Sequence, residues 1–214
     1  MSTAPHPEPL AVTEMKLIHD VHRAATSLLA DSAARPGASP AELGELRDFV
    51  VAALHHHHQT EDDLLWPVLE AADPEVAAGL SEQRAEHERL DAALAALNDA
   101  AISAGEPGAA LSAAAETVRA LVRQHLADEE PETFPALRLL SDEQWADFSR
   151  GAVATAPAAG IHLQIGFMDE VGEPGDVAAV LAGLPAPAVL ALPAMRSQAQ
   201  ATLAALRAGA GVAS

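Results

Sequence analysis

The chain has 214 residues, a formal net charge of −19, no cysteine, no tyrosine and few aromatics. That negative charge repels nucleic acid and anionic membranes, so neither is expected as a partner. The missing cysteine excludes disulfides, thiolate ligands and cysteine nucleophiles, and the alanine- and leucine-rich composition favours helices over sheets.

MSTAPHPEPLAV at the N-terminus has neither the basic nor the apolar region of a signal peptide, and residues 1–12 read as a disordered tail. Thr13 is placed to cap a first helix running to about Leu29. DSAARPGASP (31–40) is rich in helix breakers. Ser39 or Pro40 opens a second helix, which passes through four consecutive histidines (55–58) to about Leu69. Its core stripe reads Val50, Leu54, His57, Glu61, Leu64 and Val68, at spacings of three and four. A third helix starts between Glu75 and Ser81 and aligns Leu80, Gln83, His87, Leu90, Leu94 and Leu97. After a break at AGEPG (104–108), a fourth aligns Leu111, Ala114, Val118, Val122, His125 and Glu129.

Ser141 and Gln144 have the spacing of a capping box and open a further helix bearing Trp145, Phe148 and Val153, with a bend at Pro157. The rest, rich in alanine, proline and glycine, reads as short helices ending in QAQATLAALRA (198–208). Its apolar run 177–195 is broken by Gly183, Pro185, Pro187 and Pro193 and is no membrane span. The expectation is an all-α, soluble, cytoplasmic protein. An up-down four-helix bundle would occupy residues 13–140. A helical extension over 141–214 would pack on the bundle or join two copies in a homodimer.

Three of the four helices carry a histidine where periodicity calls for an apolar residue, and two of these add a carboxylate on the same stripe. One such histidine is ordinarily a hydrogen-bonded core residue, but here the pattern repeats. His57, Glu61, Trp66, Pro67 and Leu69 return as His125, Glu129, Phe134, Pro135 and Leu137, each 68 residues on. The same shift places His19 of the first helix on His87 of the third. Two helical hairpins of one design result, each giving one histidine from its first helix and His-x3-Glu from its second. Facing alone favours His22 over His19, while the shift favours His19, since His22 falls on Leu90. The shift also prefers Glu129 to Glu130, which falls on Asp62.

Residues four apart stand one above the other on a helix, so His-x3-Glu can hold one metal or set its carboxylate between two. Four imidazoles and two carboxylates overfill a tetrahedral zinc site, and calcium would not select imidazoles. The set suits iron or manganese, and its size suits two ions. Ferritin-like bundles use Glu-x-x-His, but Lys16, Leu54, Arg84 and Val122 stand three residues before the histidines.

The segments IHD (18–20), HHQTEDDLLWP (57–67), EHERLD (86–91) and HLADEEPETFP (125–135) resemble the hemerythrin-like, HHE cation-binding family over roughly residues 13–140. The resemblance implies a non-haem di-iron centre with an oxo or hydroxo bridge. Its ligands would be His19, His57, Glu61, His87, His125 and Glu129, the glutamates bridging. Oxygen carriers of the family have a further histidine where this chain has Gln83, leaving that imidazole missing unless His22 or His58 replaces it. His55 and His56 are expected outside the inner ligand shell, and His162 as an ordinary core or surface residue. The function implied is binding of, or reaction with, O2, NO or H2O2 in sensing, scavenging or storage. Alternatives are a di-iron oxidase or oxygenase acting on an organic substrate, and a helical regulatory module with a structural metal.

Overall fold

The structure, a computed structural model, describes residues 8–102 and 108–208, and these form helices with no strand among them. Helix α1 spans Leu10–Ala33. It begins three residues before the expected Thr13, because the Pro9 carbonyl accepts the Val12 and Thr13 N–H groups (3.0 and 3.1 Å) and Ala11 and Val12 are buried. Residues 10–12 thus belong to the helix, while residues 1–7 of the expected tail, His6 among them, lie outside the described residues.

Helix α2 spans Pro40–Thr60, with Ser39 before it and Pro40 in its first turn, where the missing N–H has no helical partner to lose. The helix expected to continue to Leu69 is interrupted. Glu61–Leu65 form a π turn in which the Trp66 N–H reaches the Glu61 carbonyl, and α3 follows over Trp66–Ala72. Pro67 favours the wider turn, since its ring clashes with the carbonyl four residues back in an α-helix. It does not dictate the turn alone, because its counterpart Pro135 sits within a continuous α-helix. The wide turn advances each residue by less than the roughly 100° of an α-helix. Leu65, Trp66 and Leu69 therefore face inward at 0% exposure, whereas Leu64, expected in the core, is 37% exposed and Val68 half-buried.

A 3₁₀ turn at Pro74–Val76 leads into α4, Ala77–Asp99; α5 spans Ala109–Leu137. Their inward faces are those read from periodicity, except that Ala114 is half-buried beside buried Ala115. Of the AGEPG break only Gly108 is described. Helix α6, Asp142–Thr155, opens on the expected capping box: Gln144 N–H donates to Ser141 Oγ (3.3 Å) and Ser141 N–H to Gln144 Oε1 (2.9 Å). Trp145 is buried and Phe148 half-buried, but Val153 faces outward. Past Pro157, Gly160 takes a left-handed conformation (φ 66°) that favours glycine. Then follow α7 (Ile161–Val171), α8 (Pro174–Leu181) and α9 (Ala186–Ala208). Short helices were expected at the end, yet α9 runs on through Pro193, held by Leu192, Ala199, Leu203 and Leu206 along its buried side.

Helix α1 packs on α2 and α5, and α4 on α2 and α5, so these four close a ring. Helices α7 and α8 lie on α1, and α9 lies on α7, α2 and α1, so the C-terminal segment packs on the ring, the first of its two expected arrangements. Two apolar clusters result. One joins Val21, Leu54, Leu90 and Val122 to Leu163, Phe167 and Leu203 of the C-terminal segment. The other gathers Val12, Met15, Leu65, Trp66, Leu80, Leu137 and Trp145. Along α1, α4, α5 and the run from α2 through the π turn to α3, most of the first cluster lies on one side, and the second on the other, of a buried polar layer. No helix among the described residues is long and apolar enough to cross a membrane.

Candidate metal centre

All four ring helices feed that layer. Helix α1 brings His19 and His22; α2 and the π turn bring His57, His58 and Glu61; α4 brings Gln83 and His87; α5 brings His125 and Glu129, all buried. Consecutive residues diverge by about 100° on a helix, which lets His57 and His58 serve different groups. Ligand atoms of His19, His57, Glu61 and Glu129 lie within 4.8 Å of one another, and so do those of His58, His87 and His125.

The two carboxylates join the groups. Glu61 Oε1 is 3.3 Å from His57 Nε2, and its Oε2 is 3.6 Å from His87 Nε2. Glu129 Oε2 is 3.4 Å from His125 Nε2 and 3.8 Å from His19 Nε2. Each carboxylate thus meets an imidazole of both groups, and the 68-residue shift carries one set of contacts onto the other.

His22 lies outside the four-residue group, but its ring centroid is 4.7 Å from that of His57. His58 stacks on His87 at 4.4 Å and meets His125 edge-on at 5.5 Å. It supplies the third imidazole of the group in which Gln83 stands for the expected histidine. Gln83 is itself buried, with Oε1 unpartnered. The sequence left His22 and His58 as alternatives; the fold brings both into the layer.

These residues fit a metal. Nε2 of His19, His22, His57, His58, His87 and His125 and all four oxygens of Glu61 and Glu129 are buried without a hydrogen-bond partner. An unpaired buried polar atom costs about 1–3 kcal/mol, more when charged, so a self-satisfied polar core would not be arranged this way. Burial, then the neighbouring histidines, hold His22 and His57 well below the usual imidazole range. Burial first, then the like charge of His58, lowers His87 to about 4; burial is also the main cause that brings His125 to about 4. A neutral imidazole keeps a lone pair for a cation. Burial, then the Glu129 and Asp62 carboxylates, push Glu61 well above the carboxylate range, and a cation between the carboxylates relieves that repulsion.

The far ring nitrogens are also placed. His19 Nδ1 donates to Glu130 Oε1 (3.0 Å), a carboxylate also held by Arg23 at 2.8 Å, and His87 Nδ1 donates to Asp62 Oδ2 (3.2 Å). His125 Nδ1 donates to Glu86 Oε2 (3.0 Å). Each bond fixes the tautomer with Nε2 facing inward, as metal-binding histidines require. Sequence reasoning passed over this role. The signal was available for two of the three, since the shift maps Asp62 onto Glu130; Glu86 falls on Ile18 and had no such mark. His55 is exposed and bonded to Asp91 (2.9 Å), His56 bonds Thr155 (3.0 Å), and buried His162 lies 3.3 Å from Glu45.

The sequence profile of the hemerythrin HHE cation-binding domain matches residues 11–137. This is more than half of the chain, which therefore belongs to that family. The match ends with α5, before the C-terminal helices begin. No curated protein and no solved structure matches the chain.

Proposed function

We propose that the chain is a hemerythrin-type di-iron protein, with an up-down four-helix bundle as its scaffold, that binds or reacts with O2, NO or H2O2 in sensing, scavenging or storage. The observation that carries this reading is the meeting of two imidazole groups at the same two buried carboxylates. His19 and His57, with His22 beside them, would hold one ion, and His58, His87 and His125 the other. Glu61 and Glu129 would bridge. Manganese suits the same donors. Bound there, iron supplies redox chemistry and a coordination position that a small ligand can take. The chain's own part is to orient the rings through Glu130, Asp62 and Glu86 and to keep bulk water out with the apolar clusters on either side. The same reading keeps the expectation of a cytoplasmic protein.

An oxidase acting on an organic substrate ranks second. A cleft of about 490 Å³ takes Phe148 and Gly151 from the C-terminal segment, Leu64 from the π turn and Val68 from α3, but no candidate ligand lines it. Metal analysis and optical spectra with and without azide or NO test the leading reading. Bound iron with charge-transfer bands that move on ligand addition is expected. Zinc alone, or bands that ignore both ligands, would contradict it.

A further inference from the structure

A second pocket, of about 320 Å³, has His58, a member of the inner imidazole group, in its lining. Its wall is polar throughout: His55, His58, Gln59, Asp62, Asp63 and Asp91. The π turn supplies Asp62 and Asp63, and α4 supplies Asp91. Asp62 Oδ2 accepts from His87 Nδ1, while its buried Oδ1 has no hydrogen-bond partner. Asp91 Oδ1 accepts from His55 Nδ1 at 2.9 Å.

His58 connects the pocket with the centre. The residue is only 2% exposed and both ring nitrogens are unpartnered. Its Nδ1 faces Asp91 Oδ1 at 3.7 Å, too far for a hydrogen bond. One ring thus stands in the wall of a carboxylate-lined pocket and in the inner imidazole group.

We infer that this pocket is the entry port for metal, and that Asp63, Asp91 and His58 form a transient site for a hydrated divalent transition-metal cation. The inference rests on the reading of the inner layer as a metal centre. A hydrated cation cannot cheaply cross the apolar clusters that flank the layer, and the polar wall gives it a path that avoids them. Carboxylates attract the ion and replace part of its water, and the mixture of carboxylate and imidazole suits iron or manganese over calcium. His58 can then pass the ion inward by a change of tautomer: as the ion leaves Nδ1 the ring proton moves from Nε2 to Nδ1, beside Asp91, and Nε2 then offers its lone pair to the group with His87 and His125.

The test compares the full-length parent with Asp63→Asn/Asp91→Asn, leaving Asp62 intact because it orients His87. A second variant, Glu116→Gln/Asp147→Asn, makes the same change in net charge away from the pocket. Chelator-stripped protein is reloaded with anaerobic Fe2+ and the rate followed. The pocket variant should load about tenfold more slowly, as steering of an ion by local charge implies, and reach the same final metal content. The control should load at the parental rate. Parental loading by the pocket variant overturns the inference, and so does equal slowing in the control, which would make the overall charge responsible. Independently, Mn2+ titration of the metal-loaded protein, in which His58 is engaged by the inner ion and Asp63 and Asp91 alone remain, should reveal from the free-ion EPR signal a weak extra site in the parent and control that the pocket variant lacks. Equal Mn2+ binding by all three overturns the inference even if stripped protein fails to refold. Failure of the parent to hold any tightly bound metal would instead refute the reading of the inner layer.

Discussion

Each inner imidazole has two nitrogens with different work: one faces the layer, and the other, in His19, His87 and His125, is tied to a carboxylate. Glu130→Gln and Asp62→Asn keep the shape and remove the charge of two repeat-related anchors. Each should weaken metal binding about 10- to 100-fold, to similar degrees, in competition with a chelator. An effect from one but not the other would break the equivalence of the two hairpins. The position left by Gln83 gives a second prediction. Gln83 stands one turn before His87 on the same buried face, and His58 makes up the missing imidazole. Gln83→His alone should change metal retention little. His58→Ala should lose metal, and Gln83→His in that background should restore part of it. A His58→Ala protein that keeps all its metal would remove His58 from the inner set.

At the scale of elements, the π turn decides which residues after Glu61 enter the core. Leu65→Ala should destabilise by about 2–5 kcal/mol, as for a buried leucine, whereas Leu64→Ala should stay below about 1 kcal/mol. Urea unfolding of the two variants measures this, and the reverse order would mean that the helix continues without the wide turn. Periodicity, which assumes an unbroken α-helix, put Leu64 and Val68 in the core after Glu61, whereas the π turn puts Leu65 and Leu69 there. The Pro67 motif could not choose, since Pro135 has the same setting in a regular helix. Three of the four faces turned to the layer were legible because a histidine or glutamate interrupts an apolar stripe, and chance does not readily repeat that interruption at one fixed shift; on the first helix only the shift picked out His19. His58 was less legible, because its counterpart under the shift is Leu126 and nothing local separates it from His55 and His56. The path of α9 was hidden for another reason: Pro187 and Pro193 argue locally for breaks, and only contacts with distant helices outweigh them.

For the whole molecule, the polar layer makes stability depend on pH. His87 and His125 fall from an ordinary 6.5 to about 4 on folding. Between those values these two rings, with His22 and His57, bind more protons in the unfolded than in the folded chain and together outweigh Glu61, whose raised pKa acts the other way, so stability drops as pH is lowered through the window. Competition of protons with a bound cation acts in the same direction. Thermal melts from about pH 7 to about pH 5 should show a steadily falling Tm; a constant Tm would mean that these rings are not held neutral. The C-terminal helices share the larger apolar cluster with the ring, so melting should remain a single transition. The central claim is that two metal ions share Glu61 and Glu129. Its most direct test is iron quantification together with Mössbauer and EPR spectra of the oxidised, iron-loaded protein. The account predicts two irons per chain that are magnetically coupled and therefore EPR-silent. One iron per chain with the EPR signal of an isolated high-spin ferric ion would contradict it.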